Sequence, residues 1–244
     1  MAEAAALERV RVVLSRPSHP GNIGAATRAM KTMGLSRLWL VSPEDFPHPM
    51  ADARASGAVD VLAGARVVSR LEEALSGTVF AVAVTARRRE LSLPRCYARE
   101  AALQMAAWTE KGEVALVFGN ETSGLSNDEV GLCSMPVTIP TSPDYSSLNL
   151  AAAVQLLCYE LRIAVMEPVP FDRQLALLEP ATHDEIEGFF GHLQKAMTES
   201  GFLEPERPRR LIPRLRRLYG RVQLEKEEVA ILRGILTSFG YKAD

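Results

Sequence analysis

The hydrophobic pattern of the first two thirds of the chain alternates between short apolar runs and segments of helical period. The apolar runs are rich in Val, Leu and Ile and are typical of buried strands: 10–14, 37–41, 78–85, 114–118 and 136–140. The segments between and after them show the spacing of amphipathic helices: 22–33, 51–63, 70–76, 96–109 and 147–166. Strands and helices alternating in this way predict an α/β fold with a mostly parallel sheet and helices on both faces. Ligands of such folds lie at the carboxyl ends of the strands.

The pattern changes at residue 166, where "MEPVPFDRQLALLEP" brings three prolines and no strand signal. It predicts a linker over 166–180 that joins an α/β domain over 1–165 to a helical extension over 181–244. The extension contains two amphipathic segments. The first opens with Thr182 as a candidate N-cap and Glu185 as its capping-box partner and stops at Gly201, and the second spans 225–238.

Composition excludes several classes of protein. With 244 residues, 47% of them hydrophobic and 24% charged, the chain has the material for a sizeable core and is unlike a disordered chain or a coiled-coil rod. Cys96, Cys133 and Cys158 lie far apart without metal-ligand spacing, so neither a metal site nor a disulfide framework is expected. The first residues do not resemble a signal peptide and no apolar run is long enough to span a bilayer, which predicts a cytoplasmic protein. A net charge of −2 gives no overall electrostatic support for nucleic-acid binding, so that function has to be judged from local clusters of charge.

Three polar loops follow three of the predicted strands. In the first, "SHPGNIGAATRAMKTMG", Gly21 and Gly24 allow close backbone approach, Asn22 is a candidate helix N-cap and Arg28 points away from the apolar stripe. Taken alone, this loop favours the interpretation of an ordinary N-cap and a surface arginine.

The second loop, "FGNETSGLS" at 118–126, has the glycine spacing of a phosphate-binding P-loop. Leu125 and Ser126 stand where a P-loop needs Lys and then Ser or Thr, and no strand is followed by G-x-G-x-x-G. An ATPase, a kinase and a dinucleotide-binding enzyme are therefore disfavoured. Glu121 is left either with a role of its own or as a solvated loop carboxylate.

The third loop, in "IPTSPDYSSLNLAAAVQLL" at 139–157, leads into an apolar helix. Ser146 or Ser147 is the expected N-cap, and Asn149 is expected to form a local hydrogen bond in the first turn.

Together these loops resemble one family. N-x-G-x-x-x-R after the first strand, F-G-x-E-x-x-G-L after a later strand, and I-P followed by S-L-N-x-A before the apolar helix are similar to the three signature motifs of SpoU-type methyltransferases of the SPOUT superfamily. Over most of the chain the likeness is strongest to bacterial enzymes that methylate the ribose 2′-oxygen of cytidine or uridine 32 in tRNA. The resemblance implies a trefoil knot in the C-terminal part of the α/β domain, S-adenosylmethionine as cofactor, tRNA as partner, and a homodimer that shares its active site between subunits.

The resemblance also implies roles for individual residues. The positions that match the family's polar motif residues, and so the catalytic group, are Asn22, Arg28, Glu121, Ser147 and Asn149. Those that match its cofactor contacts are Thr85, Ala86, Arg87, Gly119, Ile139, Ser146, Ser147 and Leu148. Because an arginine stays protonated, Arg28 is expected to orient RNA phosphate and stabilise the developing alkoxide, whereas Glu121 is expected to anchor its neighbours.

A further candidate for RNA contact is the segment "RPRRLIPRLRRLYGR" at 207–221, which has seven arginines and no acid. Leu211, Leu215 and Leu218 fall on one predicted stripe, by which the segment would dock. The arginines expected to bind RNA, together with Arg28, are Arg209, Arg210, Arg214, Arg217 and Arg221. Without the resemblance, a solvated or acid-paired surface is an equal interpretation.

The sequence therefore favours a tRNA ribose methyltransferase. Two alternatives stay open: a SpoU-type enzyme acting on another tRNA or rRNA nucleotide, and an RNA-binding protein that has the same fold without catalysis.

Overall fold

The structure, a computed structural model, describes residues 2–86, 96–142, 144–166, 179–204 and 210–241. Seven strands form one sheet: β1 Val10–Ser15, β2 Arg37–Val41, β3 Arg66–Val68, β4 Thr78–Val84, β5 Cys96–Tyr97, β6 Glu113–Phe118 and β7 Met135–Thr138. They pair in the order β3-β2-β1-β6-β4-β7-β5, and every pairing is parallel. The α/β class and the parallel sheet predicted from the sequence are confirmed.

The helices connect these strands and continue beyond them. Those of the α/β part are α1 Ala2–Glu8, α2 Pro20–Thr32, α3 Pro49–Ala55, α4 Val59–Ala63, α5 Leu71–Leu75, α6 Ala98–Trp108, α7 Asn127–Gly131 and α8 Leu150–Met166, with a 3₁₀ turn at Ser56–Ala58. Those that follow are α9 His183–Glu199, α10 Leu211–Tyr219 and α11 Lys226–Ser238.

Two strands were not predicted, and both are short edge strands. β3 has three residues, of which Arg66 and Val67 are exposed, and β5 has only two. The apolar runs identified the strands that are buried on both faces, and an edge strand of two or three residues gives no such run. The predicted helix over 51–63 is divided by the 3₁₀ turn, and the one predicted from 147 begins at Leu150.

The sheet has an apolar core on each face. Leu14, Ile23 and Met30 belong to the larger core, which α2, α6 and α8 cover. Val13, Leu75 and Val117 belong to the smaller core on the opposite face, beside α5. Successive strand residues point to opposite faces, so a strand buried on both sides is apolar along most of its length, as β1 and β6 are.

The C-terminal helices have a small core of their own, formed around Phe189, Phe190 and Leu224. Thr182 caps α9 in a capping box with Glu185, and Gly201 adopts a φ of 76° after it, both as predicted. Asp184 joins this part to the α/β part, since its Oδ2 accepts hydrogen bonds from Gly77 N at 2.8 Å and Ser76 Oγ at 3.0 Å. Most of the predicted linker, 167–178, lies outside the described residues.

The strand register decides where the site lies. Leu14 of β1 pairs with Phe118 of β6, which also pairs with Val84 of β4, and Val84 pairs with Val137 of β7. The segments that follow these four strands therefore leave the sheet at the same edge.

None of the helices in the described ranges has the length and apolar character needed to cross a bilayer. Within the same ranges, no group of three or more His, Cys, Asp or Glu side chains is arranged to hold a metal ion.

Candidate active site

Glu121 connects the loop after β6 to the loop after β1. Its Oε2 accepts hydrogen bonds from Ser18 N at 2.8 Å and from Ser18 Oγ at 2.9 Å. Its Oε1 accepts from Asn22 Nδ2 at 3.0 Å and from His19 N at 3.3 Å. Partial burial raises the pKa of Glu121, but the hydrogen bonds from Ser18 and Asn22 outweigh it, so the pKa lies below its ordinary value. An ionised carboxylate with both oxygens occupied is an anchor and a poor general base.

Asn22 extends this connection to the third loop. Its Oδ1 accepts a hydrogen bond from Asn149 Nδ2 at 3.0 Å, while its Nδ2 donates to Glu121. Glu121 only accepts, which fixes the orientation of the Asn22 amide and leaves its oxygen for Asn149. One chain of hydrogen bonds therefore joins three loops that are 99 and 127 residues apart in sequence.

The helix caps differ from those predicted. α2 is capped by His19, whose Nδ1 accepts from Gly21 N at 3.1 Å, and not by Asn22. α8 is capped by Asn149, whose Oδ1 accepts from Ala151 N at 2.9 Å, and neither Ser146 nor Ser147 caps it. At α8 the error arises because Ser and Asn are equally good N-caps and the helix starts three residues later than its period suggested. At α2 it arises because the helix starts at Pro20, before the predicted first residue.

A pocket of about 340 Å³ opens beside this network at the carboxyl ends of β4, β6 and β7. Every predicted cofactor residue that the structure describes lines it: Thr85, Ala86, Gly119, Ile139, Ser146, Ser147 and Leu148. Arg87 lies outside the described residues. Glu121 is also in the wall, and no Lys or Arg is among the described lining residues.

Gly119 is required for the shape of this pocket. A Cβ atom at this position would lie 2.2 Å from Gly124 C and 2.2 Å from Leu125 N, both of which are backbone atoms. Gly124 itself has a φ of 67°, in the left-handed region that favours glycine. The loop can therefore fold back on the end of β6 only when residue 119 has no side chain.

Arg28 is brought to a different place. It lies on the exposed side of α2 and is not among the lining residues of the pocket. Its guanidinium makes no hydrogen bond or ion pair with any described residue of the chain. The structure thus unites Asn22, Glu121 and Asn149, sets Ser147 in the pocket wall, and leaves Arg28 facing outward.

The C-terminal arginines have unequal surroundings. Arg214 and Arg221 are exposed, as RNA contact requires. Arg217 is half-buried and its Nε is buried without a hydrogen-bond partner, and Arg209 lies outside the described residues. Arg210 is exposed and has a partner within the chain.

Arg216 fits the acid-paired interpretation of this segment. It forms a bidentate pair with Glu187, at 2.5 and 2.7 Å, and stacks 4.4 Å above the ring of Phe190. It is therefore an acid-paired residue that holds α10 against α9. The predicted apolar stripe is wrong at Leu218, which is 55% exposed, although Leu215 does pack on the small core.

Sequence reasoning missed three residues that hold the loops. Asn120 Nδ2 donates to Arg16 O at 2.8 Å, Ser18 binds Glu121, and Glu129 binds Ser15 and Arg16. Of these three residues, only Glu129 stands in a recognisable sequence pattern, because "SNDE" at 126–129 has the spacing of a capping box.

Comparison with known proteins agrees with this geometry. Residues 9–159 match the model of the SpoU rRNA Methylase family. The chain belongs to this family. Residues 184–244 match a second model, described as the C-terminal domain of the tRNA methyltransferase TrmJ. The family resemblance drawn from the three motifs is thereby confirmed.

Individual relatives are similar over nearly the full chain. The tRNA (cytidine/uridine/adenosine-2′-O-)-methyltransferase TrmJ of Pseudomonas aeruginosa is 51% identical over 240 residues, which cover 95% of this chain and 93% of that protein. The tRNA (cytidine/uridine-2′-O-)-methyltransferase TrmJ of Yersinia pestis is 43% identical over 235 residues, 95% of this chain and 91% of that protein. The crystal structure of TrmJ from Z. mobilis superposes with a TM-score of 0.82 at 34% identity and covers 94% of this chain and 98% of that one.

Proposed function

We propose that this protein transfers a methyl group from S-adenosylmethionine to the ribose 2′-hydroxyl of a tRNA. The observation that carries the proposal is the pocket at the carboxyl ends of β4, β6 and β7, whose wall joins the loops tied together by Glu121, Asn22 and Asn149. The family membership and the 51% identity to a tRNA 2′-O-methyltransferase support it.

The residues of the pocket fit the cofactor. A volume of about 340 Å³ lies in the range of small-molecule sites. Val84, Phe118 and Leu150 offer apolar surface, while Ser146, Ser147 and the backbone of the loops offer hydrogen bonds. A wall with Glu121 and no described cation suits a positively charged sulfonium and would be a poor site for a phosphate. When bound, S-adenosylmethionine supplies a methyl group that is already activated for transfer.

In this proposal the chain mainly positions the reactants. Glu121 and Asn22 fix the loop after β1 against the loop after β6, and Asn149 fixes the start of α8 against both. Loops held in this arrangement would position a bound cofactor and a ribose for transfer with little reorganisation of the protein. Ser147, exposed in the pocket wall, is the residue proposed to contact both ligands.

Arg28 is proposed to act on RNA. Arginine side chains are poor general bases, so Arg28 is not proposed to take up the proton. Its guanidinium is free to bind a phosphate and to stabilise negative charge on the attacking oxygen. Its absence from the pocket of its own chain supports an active site completed by a second copy.

We propose that the second copy docks on the outward side of α8, as in the dimer that the family resemblance implies. The exposed residues on this side include Leu156, Tyr159 and Met166, with exposures of 41%, 46% and 49%. An apolar stripe on a helix otherwise packed in the core is typical of an obligate interface. We propose that the segment preceding α8 forms the trefoil knot that the family resemblance implies, and the match of residues 9–159 to the family model supports it.

The domain division proposed is a methyltransferase domain over 1–165, a linker over 166–180 and an RNA-binding extension over 181–244. The exposed guanidinium groups of Arg214 and Arg221 support the role of the extension. The proposed target is cytidine or uridine 32 of the anticodon loop, and tRNA as substrate makes the cytoplasm the proposed location.

Cofactor titration of the intact protein tests the pocket. Calorimetry should show S-adenosylmethionine bound by the wild type, and Gly119→Ala should abolish binding, because its Cβ would displace the backbone of Gly124. Gly57→Ala is the matched control, since a Cβ at this position meets no atom within 4 Å. Equal affinity of Gly119→Ala and the wild type would contradict the assignment of the pocket.

A further inference from the structure

A second carboxylate joins the loops on which the pocket depends. Glu129 Oε1 accepts a hydrogen bond from Ser15 Oγ at 2.5 Å. Its Oε2 accepts from Arg16 Nη2 at 2.8 Å and from Ser126 N at 2.6 Å. Ser15 is the last residue of β1 and is 1% exposed, so one side chain reaches from a buried strand end to the start of α7.

The position of Ser126 shows which loop the hydrogen bonds of Glu129 hold in place. Ser126 ends the loop that starts at Gly119. The residues of this loop that line the pocket include Gly119, Asn120, Glu121 and Gly124. Glu121 holds the first half of this loop to Ser18 and Asn22, and Glu129 holds its far end to Ser15 and Arg16. The loop is therefore fixed to the β1 side at two points, one on each side of Gly124.

The backbone on the β1 side is held in a demanding conformation. Arg16 has a φ of 51°, which a residue other than glycine rarely adopts. Its carbonyl accepts from Asn120 Nδ2 at 2.8 Å and its guanidinium binds Glu129. Strain of this kind persists where the surrounding contacts enforce it, and it is found at functional sites.

The electrostatics of Glu129 fit an ionised anchor. Burial raises the pKa of Glu129, but the hydrogen bonds from Ser126 and Ser15 and the charge of Arg16 outweigh it and hold the pKa below its ordinary value. The lowered pKa favours the ionised carboxylate, which accepts hydrogen bonds from all three partners.

We propose that Glu129 is a positioning residue for cofactor binding, which acts by fixing the loop 119–126 to the end of β1 through Ser15. This inference rests on the function proposed for the pocket. A capping role alone is the competing explanation, because Glu129 and Ser126 also form the capping box of α7. The two explanations differ at Ser15, which has no part in the cap.

A double-mutant cycle in cofactor affinity separates them. Glu129→Ala should weaken binding of S-adenosylmethionine to the full-length protein by about tenfold, the effect of about one hydrogen bond to a charged group. Ser15→Ala, which removes a single hydroxyl, should weaken it by about threefold in the wild type and should have no further effect in Glu129→Ala. Turnover at saturating cofactor should fall much less than the KM for cofactor rises, because the loop positions the ligand and takes no part in the reaction.

Glu113→Ala is the matched control. Glu113 also pairs with arginines, Arg11 and Arg37, but at the amino ends of the strands. Its removal should lower the melting temperature and leave the affinity for cofactor unchanged.

The possible results are distinct. Wild-type affinity in Glu129→Ala would overturn the inference and leave the proposed function standing. An unaffected Ser15→Ala, with additive effects in the double variant, would also overturn it and would assign Glu129 to the cap alone. A wild type that binds no S-adenosylmethionine would refute the proposed function and this inference with it.

Discussion

Asn149 serves two purposes that a set of substitutions can separate. Its Oδ1 caps α8 through Ala151 N, and its Nδ2 donates to Asn22 Oδ1 in the network that reaches Glu121. The cap is a contribution to stability, whereas the bond to Asn22 is a contribution to the geometry of the site. An amide side chain carries its acceptor and its donor on two separate atoms and has no charge, so Asn149 can form both bonds at once.

The structure allows the size of each contribution to be worked out. Replacing an N-cap by alanine costs about 1 kcal/mol, which lowers the melting temperature of a protein of this size by about 2 to 4 °C. Asn149→Ala should show this loss together with reduced methyl transfer. If the bond to Asn22 contributes about 0.5 to 1.5 kcal/mol in the transition state, transfer falls between about twofold and about tenfold.

Asn149→Asp and Asn149→Ser keep the cap but not the bond to Asn22, because aspartate has no donor and the shorter serine side chain ends at the one oxygen that forms the cap. Aspartate and serine cap helices as well as asparagine does, so the melting temperature should stay within about 1 °C of the wild type. The aspartate would also set a carboxylate against Asn22 Oδ1, and Asn22 cannot turn its amide without facing Glu121 with an oxygen. Methyl transfer should therefore fall in Asn149→Ser and fall further in Asn149→Asp.

Thermal unfolding and initial rates of methyl transfer, measured on the same preparations, check both parts. Wild-type rates in Asn149→Asp would refute the role of the bond to Asn22. An unchanged melting temperature in Asn149→Ala would refute the role of the cap.

Three further changes test other parts of the molecule. Arg214→Ala should weaken tRNA binding and reduce the slope of log affinity against log salt by about one. Arg216→Ala should chiefly lower the melting temperature, because Arg216 pairs with Glu187. An unchanged salt slope in Arg214→Ala, measured by filter binding, would contradict the proposed contact of Arg214 with phosphate. Arg28→Lys should reduce turnover, because lysine keeps the charge and loses the planar fork, and full turnover with unchanged RNA affinity would count against the proposed role. Burial lowers the pKa of His183 below its ordinary value, so the unfolded chain takes up a proton more readily than the folded chain does. Stability should therefore fall as pH drops below about 6.5, by at most about 1.4 kcal/mol per pH unit, and His183→Gln should remove this part of the dependence in thermal unfolding.

The parts of the fold that the sequence predicted are those in which local pattern and burial coincide. β1 and β6 are buried on both faces, so their apolar runs identify them without knowledge of their partners. β5 is a two-residue edge strand that forms because β7 lies beside it. Two residues are too few to show a hydrophobic pattern from which this pairing could be predicted.

The site likewise has parts that the sequence predicted and parts that it could not predict. Motif positions supplied the residue types of the pocket, and the predicted cofactor residues that the structure describes line one cavity. The bonds among them depend on strand register, since Glu121 and Asn22 become neighbours only because β1 pairs with β6. The choice of Asn149 over two adjacent serines as the cap depends on where α8 begins, and periodicity locates helix ends only to within a few residues.

The proposed function is methyl transfer to a ribose of tRNA, with the cofactor bound in this pocket. The most direct test is transfer of a labelled methyl group from S-adenosylmethionine to tRNA that lacks the modification, followed by nuclease digestion and mapping of the labelled nucleotide. We expect label on the 2′-oxygen of cytidine or uridine at position 32, and none with Gly119→Ala. Label on a base, or no transfer by a wild type that binds both cofactor and tRNA, would contradict it.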